Sequence, residues 1–184
     1  MRVIAGVARG ARLAPVPGGV RPMSDRAREG LFSSLGDAVP GARVLDLFAG
    51  TGALGIEALS RGAERAVFVD RDRRAVAAIR ENLRRTRLAE RARVVRQGVP
   101  DFLIGDDKAG GPFELCLADP PYEAPPAQVE GVLAGLAEGW LAPEGWTVAL
   151  TRRNRSSTPV IPVDWRLARR LRYGDSLVLV YHQR

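Results

Sequence analysis

Cysteine and histidine are almost missing from this chain: Cys116 and His182 each stand alone. A single cysteine excludes an internal disulfide framework and any Cys-rich zinc site. A single histidine leaves no pair for a His-based metal centre. Cys116 lies inside an apolar run and reads as a small core residue rather than a nucleophile. Long hydrophobic runs are missing too, since none approaches the roughly 20 residues that span a bilayer. The first nine residues lack the apolar stretch and cleavage site of a signal peptide. A cytoplasmic protein with no metal and no membrane span is expected. Lysine occurs once, at Lys108, so arginine carries the positive charge.

What is present fits one well-buried domain: 184 residues, 46% hydrophobic and 27% charged. The net charge of +7 is unevenly placed. Residues 1–30 carry +4 and residues 151–184 carry +6, while 31–150 carry −3. Trading lysine for arginine would not create that asymmetry. Two basic ends around a near-neutral centre point to a polyanionic partner.

Along the chain, β-prone pieces at 2–5 and 11–14 precede the turn-rich segment 15–19. Ser24 is a plausible N-cap for a helix in which Ala27, Leu31 and Leu35 share one face. Apolar runs then follow at 43–48, 66–70, 93–96, 115–118 and 147–150. Helical patterns separate them at 53–61, 73–87 and 126–139, with a shorter one near 100–104. Apolar strands alternating with helices predict a doubly wound α/β domain, its parallel sheet covered on both faces. Segments 165–172 and 176–182, joined by Tyr173-Gly174-Asp175, read as a terminal β-hairpin.

The first run ends in Asp46-Leu47-Phe48-Ala49-Gly50-Thr51-Gly52-Ala53-Leu54-Gly55, a strand, a glycine turn and a helix start. In an open α/β sheet, ligands bind beyond the carboxyl ends of the strands, where this loop falls. Asp70 ends the second strand, 24 residues after Asp46, where an acid can accept both ribose hydroxyls of a nucleoside. Gly50-x-Gly52-x-x-Gly55 also matches the dinucleotide fingerprint, so a nicotinamide cofactor is one reading. Asp46 favours the other. A carboxylate at the mouth of the loop suits the ammonium of S-adenosylmethionine better than a pyrophosphate.

The fourth run ends in Asp119-Pro120-Pro121-Tyr122, on the same sheet edge as the glycine loop. Two prolines cannot continue a central strand, so the chain leaves the sheet on a rigid backbone. An exocyclic amine on a nucleic-acid base is a poor nucleophile because its lone pair is delocalised into the ring. The Asp119 carboxylate and the Pro120 carbonyl suit its two N–H groups, which would turn the lone pair towards a methyl donor. Tyr122 offers a face on which the base can stack.

These residues resemble class I S-adenosylmethionine-dependent methyltransferases that act on exocyclic amines. Residues 21–32, beginning Arg21-Pro22-Met23-Ser24-Asp25, the run Leu45–Ala63 and the Tyr173-Gly174-Asp175 tail are similar to one bacterial family, ribosomal RNA small subunit methyltransferase D. The resemblance implies a mostly parallel seven-stranded Rossmann-like sheet with an antiparallel C-terminal hairpin. It also implies a small basic N-terminal β-hairpin extension over 1–22, ahead of a methyltransferase domain over 23–184. It places Asp46, Gly50 and Gly52 around the methionine end of the cofactor and Asp70 at the ribose, with Phe48 also among the cofactor-binding residues. The target base falls to Asp119, Pro120, Pro121 and Tyr122. The implied substrate is guanine N2 at position 966 of 16S rRNA, free or in a small-subunit particle, and the implied protein is a monomer. Arg2, Arg9, Arg12 and Arg21 of the extension are then candidates for gripping RNA. Two departures stand out. Met23 replaces a threonine, and Gln97-Gly98-Val99 replaces an Asp or Asn before a small residue. The adenine contact thereby passes to the Val99 backbone.

Three other functions fit parts of the pattern: methylation of adenine N6 or cytosine N4, nicotinamide-dependent oxidoreduction, and a non-catalytic RNA-binding role in ribosome assembly. About 180 residues leave little room for the target-recognition domain usual in DNA enzymes.

Overall fold

Alternation along each strand decides which face of the sheet a side chain enters. In β1 (Arg43–Leu47), Val44 enters one hydrophobic cluster while Leu45 and Leu47 enter another. The same alternation divides Ala66 and Phe68 from Val67 and Val69 in β2 (Arg65–Asp70). It divides Leu115 and Leu117 from Cys116 and Ala118 in β4 (Leu115–Ala118). A sheet with two apolar faces must be covered on both, as expected of a doubly wound domain. The computed structural model describes residues 1–16, 18, 23–105, 108 and 110–184.

Seven strands among the described residues form one sheet in the order β3-β2-β1-β4-β5-β7-β6. The remaining strands are β3 (Ala92–Arg96), β5 (Thr147–Arg153), β6 (Trp165–Tyr173) and β7 (Ser176–Gln183). β1 to β5 run parallel, whereas β7 pairs antiparallel with both β5 and β6. β5 extends three residues beyond the apolar run that marks it in the sequence, because Thr151, Arg152 and Arg153 pair with β7.

The α-helices among the described residues are α1 (Asp25–Leu35), α2 (Ala53–Ser60), α3 (Arg73–Thr86), α4 (Val99–Leu103) and α5 (Pro126–Ala137). The Ser24 hydroxyl caps α1 by accepting the Ala27 N–H, as the sequence suggests. α2 and α3 contribute Leu54, Ile56 and Ile79 to one cluster. α4 and α5 contribute Phe102, Val129 and Leu133 to the other, beside Trp140. Cys116 is buried in that second cluster.

The N-terminal pieces make a narrower hairpin than their β-propensity implies, with one antiparallel bridge between Arg2 and Arg12. Other backbone groups of the extension turn to the domain instead. Ile4 and Ala5 donate to the Glu57 carboxylate of α2 at 2.8 and 3.1 Å. Ala14 donates to Asn82 Oδ1 of α3 at 2.7 Å and accepts from its amide nitrogen at 3.0 Å. Buried polar groups need partners, and these side chains supply what a longer ladder would have supplied. Pro17, Gly19, Arg21 and the boundary residue Pro22 lie outside the described residues.

Candidate active site

The strand order reverses between β1 and β4, and the crevice beyond the carboxyl ends of those strands is where such sheets bind ligands. A cavity of about 890 Å³ opens there. Its wall includes Asp46, Phe48, Gly50, Asp70, Val99 and the whole of Asp119 to Tyr122. Two loops some 70 residues apart in sequence meet because Leu47 and Ala118 are register partners.

The glycine loop is held in an unusual backbone path. Phe48, Gly50 and Gly52 have φ of 57°, 57° and 76°. A left-handed phenylalanine is uncommon and is sustained only by its surroundings. Asp70 provides some of that support, accepting the Gly50 N–H through Oδ2 and the Asp72 N–H through Oδ1, each at 2.9 Å. Gly52 serves the turn rather than the wall. It stands at the start of α2, and a Cβ there would press on Ile79 at 3.3 Å. Gly55 lets α2 approach β2 and β1: a Cβ there would lie 2.3 Å from the Phe68 ring and 2.9 Å from Asp46 Oδ2.

Asp46 is 1% exposed and accepts the Gly55 N–H at 2.8 Å through Oδ2. Its Oδ1 has no hydrogen-bond partner among the described residues. Burial pushes the Asp46 carboxyl well above the usual carboxylate range; the Gly55 bond opposes this, and the charges of Asp119 and Asp70 add to it. A cationic group brought to Oδ1 would reverse that shift.

Asp119 follows β4, where burial pushes its carboxyl up to about 6, opposed by the Thr151 hydroxyl of β5. Tyr122 is fixed at two points. Its hydroxyl lies 3.2 Å from Ser176 Oγ at the tip of the C-terminal hairpin, and the Arg153 guanidinium sits 5.7 Å from its ring centroid.

A family described as "Conserved hypothetical protein 95" matches residues 1–182. The ribosomal RNA small subunit methyltransferase D of Escherichia coli strain K12 is 36% identical over 186 residues, covering 100% of this chain and 90% of that protein. The protein of the same name from Haemophilus influenzae is 34% identical over 171 residues, covering 91% and 86%. The chain belongs to the ribosomal RNA small subunit methyltransferase D family. Among solved structures, yhhF of Escherichia coli superposes with a TM-score of 0.85 at 36% identity, covering 100% of this chain and 97% of that one. A protein of Thermus thermophilus gives 0.83 at 37% identity, covering 99% of each. The fold is that of the class I methyltransferases.

Within this family member, the cavity gathers every candidate catalytic residue and every candidate cofactor residue except Gly52. Arg2, Arg9 and Arg12 are exposed and stand outside its wall, and Arg21 lies outside the described residues. Among the wall residues that sequence reasoning misses are Thr151 and Arg28. Thr151 follows the apolar run 147–150 and carries no motif. Arg28 is 0% exposed and shares its helix face with the buried Leu31, Phe32 and Leu35. Its Nη2 donates to the Arg2 carbonyl and, at 3.0 Å, to Asp25; its Nε lies 3.7 Å from Glu57 Oε2. Among the described residues, no helix is long and apolar enough to cross a membrane, and there is no cluster suited to a metal ion.

Proposed function

We propose that this protein transfers a methyl group from S-adenosylmethionine to the exocyclic N2 of guanine 966 in 16S rRNA. The observation that supports the reading is that one cavity is lined both by a buried carboxylate suited to a cation and by residues suited to accept from an amine. The unpartnered Asp46 Oδ1 and the glycine loop lie on its wall with Asp119 to Tyr122. The donor set fits the cofactor: Asp46 suits its ammonium, the loop backbone comes close to its chain, Asp70 suits the ribose, and the Val99 backbone suits the adenine edge. A pyrophosphate would instead meet the carboxylates of Asp46 and Asp119.

When bound, the cofactor supplies an activated methyl group on a sulfonium. The chain's own residues supply position. Asp119 Oδ and the Pro120 carbonyl accept the two N–H bonds of the amine, and Tyr122, fixed by Ser176 and Arg153, sets the plane of the base. Orientation of this kind carries a large share of such rate effects. A carboxyl titrating near 6 then takes the proton released after transfer. An amine inside a duplex cannot reach this edge, so the guanine must be unpaired or flipped out.

The test is to incubate the purified protein with labelled cofactor and undermethylated small-subunit particles, then map the label. Label on guanine N2 at 966 is the expected result. Label on adenine N6 or cytosine N4 would overturn the substrate, and RNA binding without any label would leave an assembly factor.

A further inference from the structure

A buried guanidinium normally has its N–H groups paired, because desolvating an unpaired one is costly. Arg28 departs from this. Its side chain is 1% exposed, and neither Nε nor Nη1 has a hydrogen-bond partner among the described residues. Nη2 alone is braced, by Asp25 and the Arg2 carbonyl. The nearby Glu57 carboxylate is committed elsewhere, accepting from Ile4, Ala5 and Arg61. Arg28 lines the same cavity as Asp46, whose Oδ1 is the other buried polar atom left unpaired on that wall.

We infer that Arg28 is the anion anchor of the cofactor pocket, its Nη1 donating to the α-carboxylate of the bound amino-acid tail while Asp46 Oδ1 takes the ammonium of that tail. This rests on the cofactor reading above. One buried cation and one buried anion, each with free hydrogen-bonding capacity, complement the two ends of a zwitterion. The other wall cations do not offer this. Arg71 and Arg74 are exposed, and Arg74 is held by Asp72 at 2.9 Å. A guanidinium braced at one nitrogen is already oriented, so little freedom is lost when Nη1 is engaged. Arg28 also touches the extension through the Arg2 carbonyl, which links the tail of the cofactor to the docking of residues 1–14.

The experiment deletes the charge from either side. Calorimetry compares S-adenosylhomocysteine with its decarboxylated analogue, which keeps the ammonium, sulfur and nucleoside. The native chain is expected to bind the analogue on the order of 10- to 100-fold more weakly. Arg28→Met should lose a similar factor for S-adenosylhomocysteine and change little, within about threefold, for the analogue. Arg28→Lys should fall between. Equal binding of the two compounds by the native chain would overturn the anchor. So would a folded Arg28→Met that loses the same factor for both, since that is the mark of a purely structural role. If Arg28→Met does not fold, the two-ligand comparison on the native chain still decides. Failure of the native chain to bind either compound would instead overturn the cofactor reading itself.

Discussion

Gly55 donates its backbone N–H to Asp46 Oδ2 at 2.8 Å, and no other residue type fits there. A methyl group at Gly55 would lie 2.3 Å from the Phe68 ring and 2.9 Å from the carboxylate it serves. Gly55→Ala should therefore destabilise the chain by roughly 1–3 kcal/mol through overpacking. It should also weaken S-adenosylhomocysteine binding, because Asp46 must move. Gly131 in α5 is the control: a Cβ there meets nothing within 4 Å, so Gly131→Ala should stabilise by about 0.5–1 kcal/mol. Urea unfolding of both variants with calorimetry checks the pair. Equal effects would mean that the close approach at Gly55 is not what matters.

Asp119 should set stability against activity. Its carboxyl titrates near 6 in the folded chain against an ordinary 3.8, raised by burial. The folded state thus holds its proton more tightly than the unfolded state does. The ionised form costs stability fully above pH 6, and the cost disappears as pH falls to 3.8. Asp119→Asn should raise stability by on the order of 1–3 kcal/mol at about pH 8. The gain should shrink towards about pH 4. The same substitution should cut turnover by about a hundredfold or more while cofactor affinity changes little. In the native chain, kcat/KM should fall on the acid side with a midpoint near 6, where the acceptor is lost. A flat profile from about pH 5 to 8 would remove Asp119 from the chemistry.

Asp70 supports the loop and faces the cavity at once, so two substitutions separate the roles. Asp70→Ala removes the acceptor for Gly50 and Asp72 and should lower S-adenosylhomocysteine affinity at least about tenfold. Asp70→Asn retains one oxygen, which suffices for one backbone N–H, but lacks the charge for a ribose pair. It should recover stability more than affinity. Recovery of both together would reduce Asp70 to a loop support.

The sheet, its helices and the placing of Asp119 to Tyr122 on the cavity wall are legible because their signals are local: short apolar runs, a glycine turn, and two prolines at a strand tip. Gly52 shows the limit of motif reading, since the fingerprint treats it like Gly50 although its would-be Cβ faces Ile79 rather than the cavity. Arg28, Glu57 and Asn82 were not legible. Each is a polar residue on a helix, the expected signature of a solvated face, and each is buried at 0%. Their partners lie far along the chain: Ile4 is 53 residues from Glu57, and Ala14 is 68 from Asn82. Only the docking of the extension brings them together. That docking is also why the β-propensity of 2–5 and 11–14 ends in a single bridge.

The basic extension remains the candidate for RNA contact, and the structure sharpens how to test it. Arg9 and Arg12 are exposed, and no ion pair to either is found among the described residues, so their substitution disturbs little else. Arg2 is less suitable because its carbonyl braces Arg28. Phosphate contacts release counterions, and each one lost should lower the salt slope by roughly 0.7 to 0.9. The double variant Arg9→Ala, Arg12→Ala should therefore bind 16S rRNA fragments more weakly, with the slope of log K against log salt reduced by about 1.4 to 1.8. S-adenosylhomocysteine affinity and thermal stability should stay at native values. Arg153 supplies the contrast: it lies against the Tyr122 ring, so Arg153→Ala should lower turnover through base placement more than it flattens the slope. If the N-terminal variant keeps the native slope and Arg153→Ala flattens it, the RNA enters over the C-terminal hairpin and the extension serves only to close the domain.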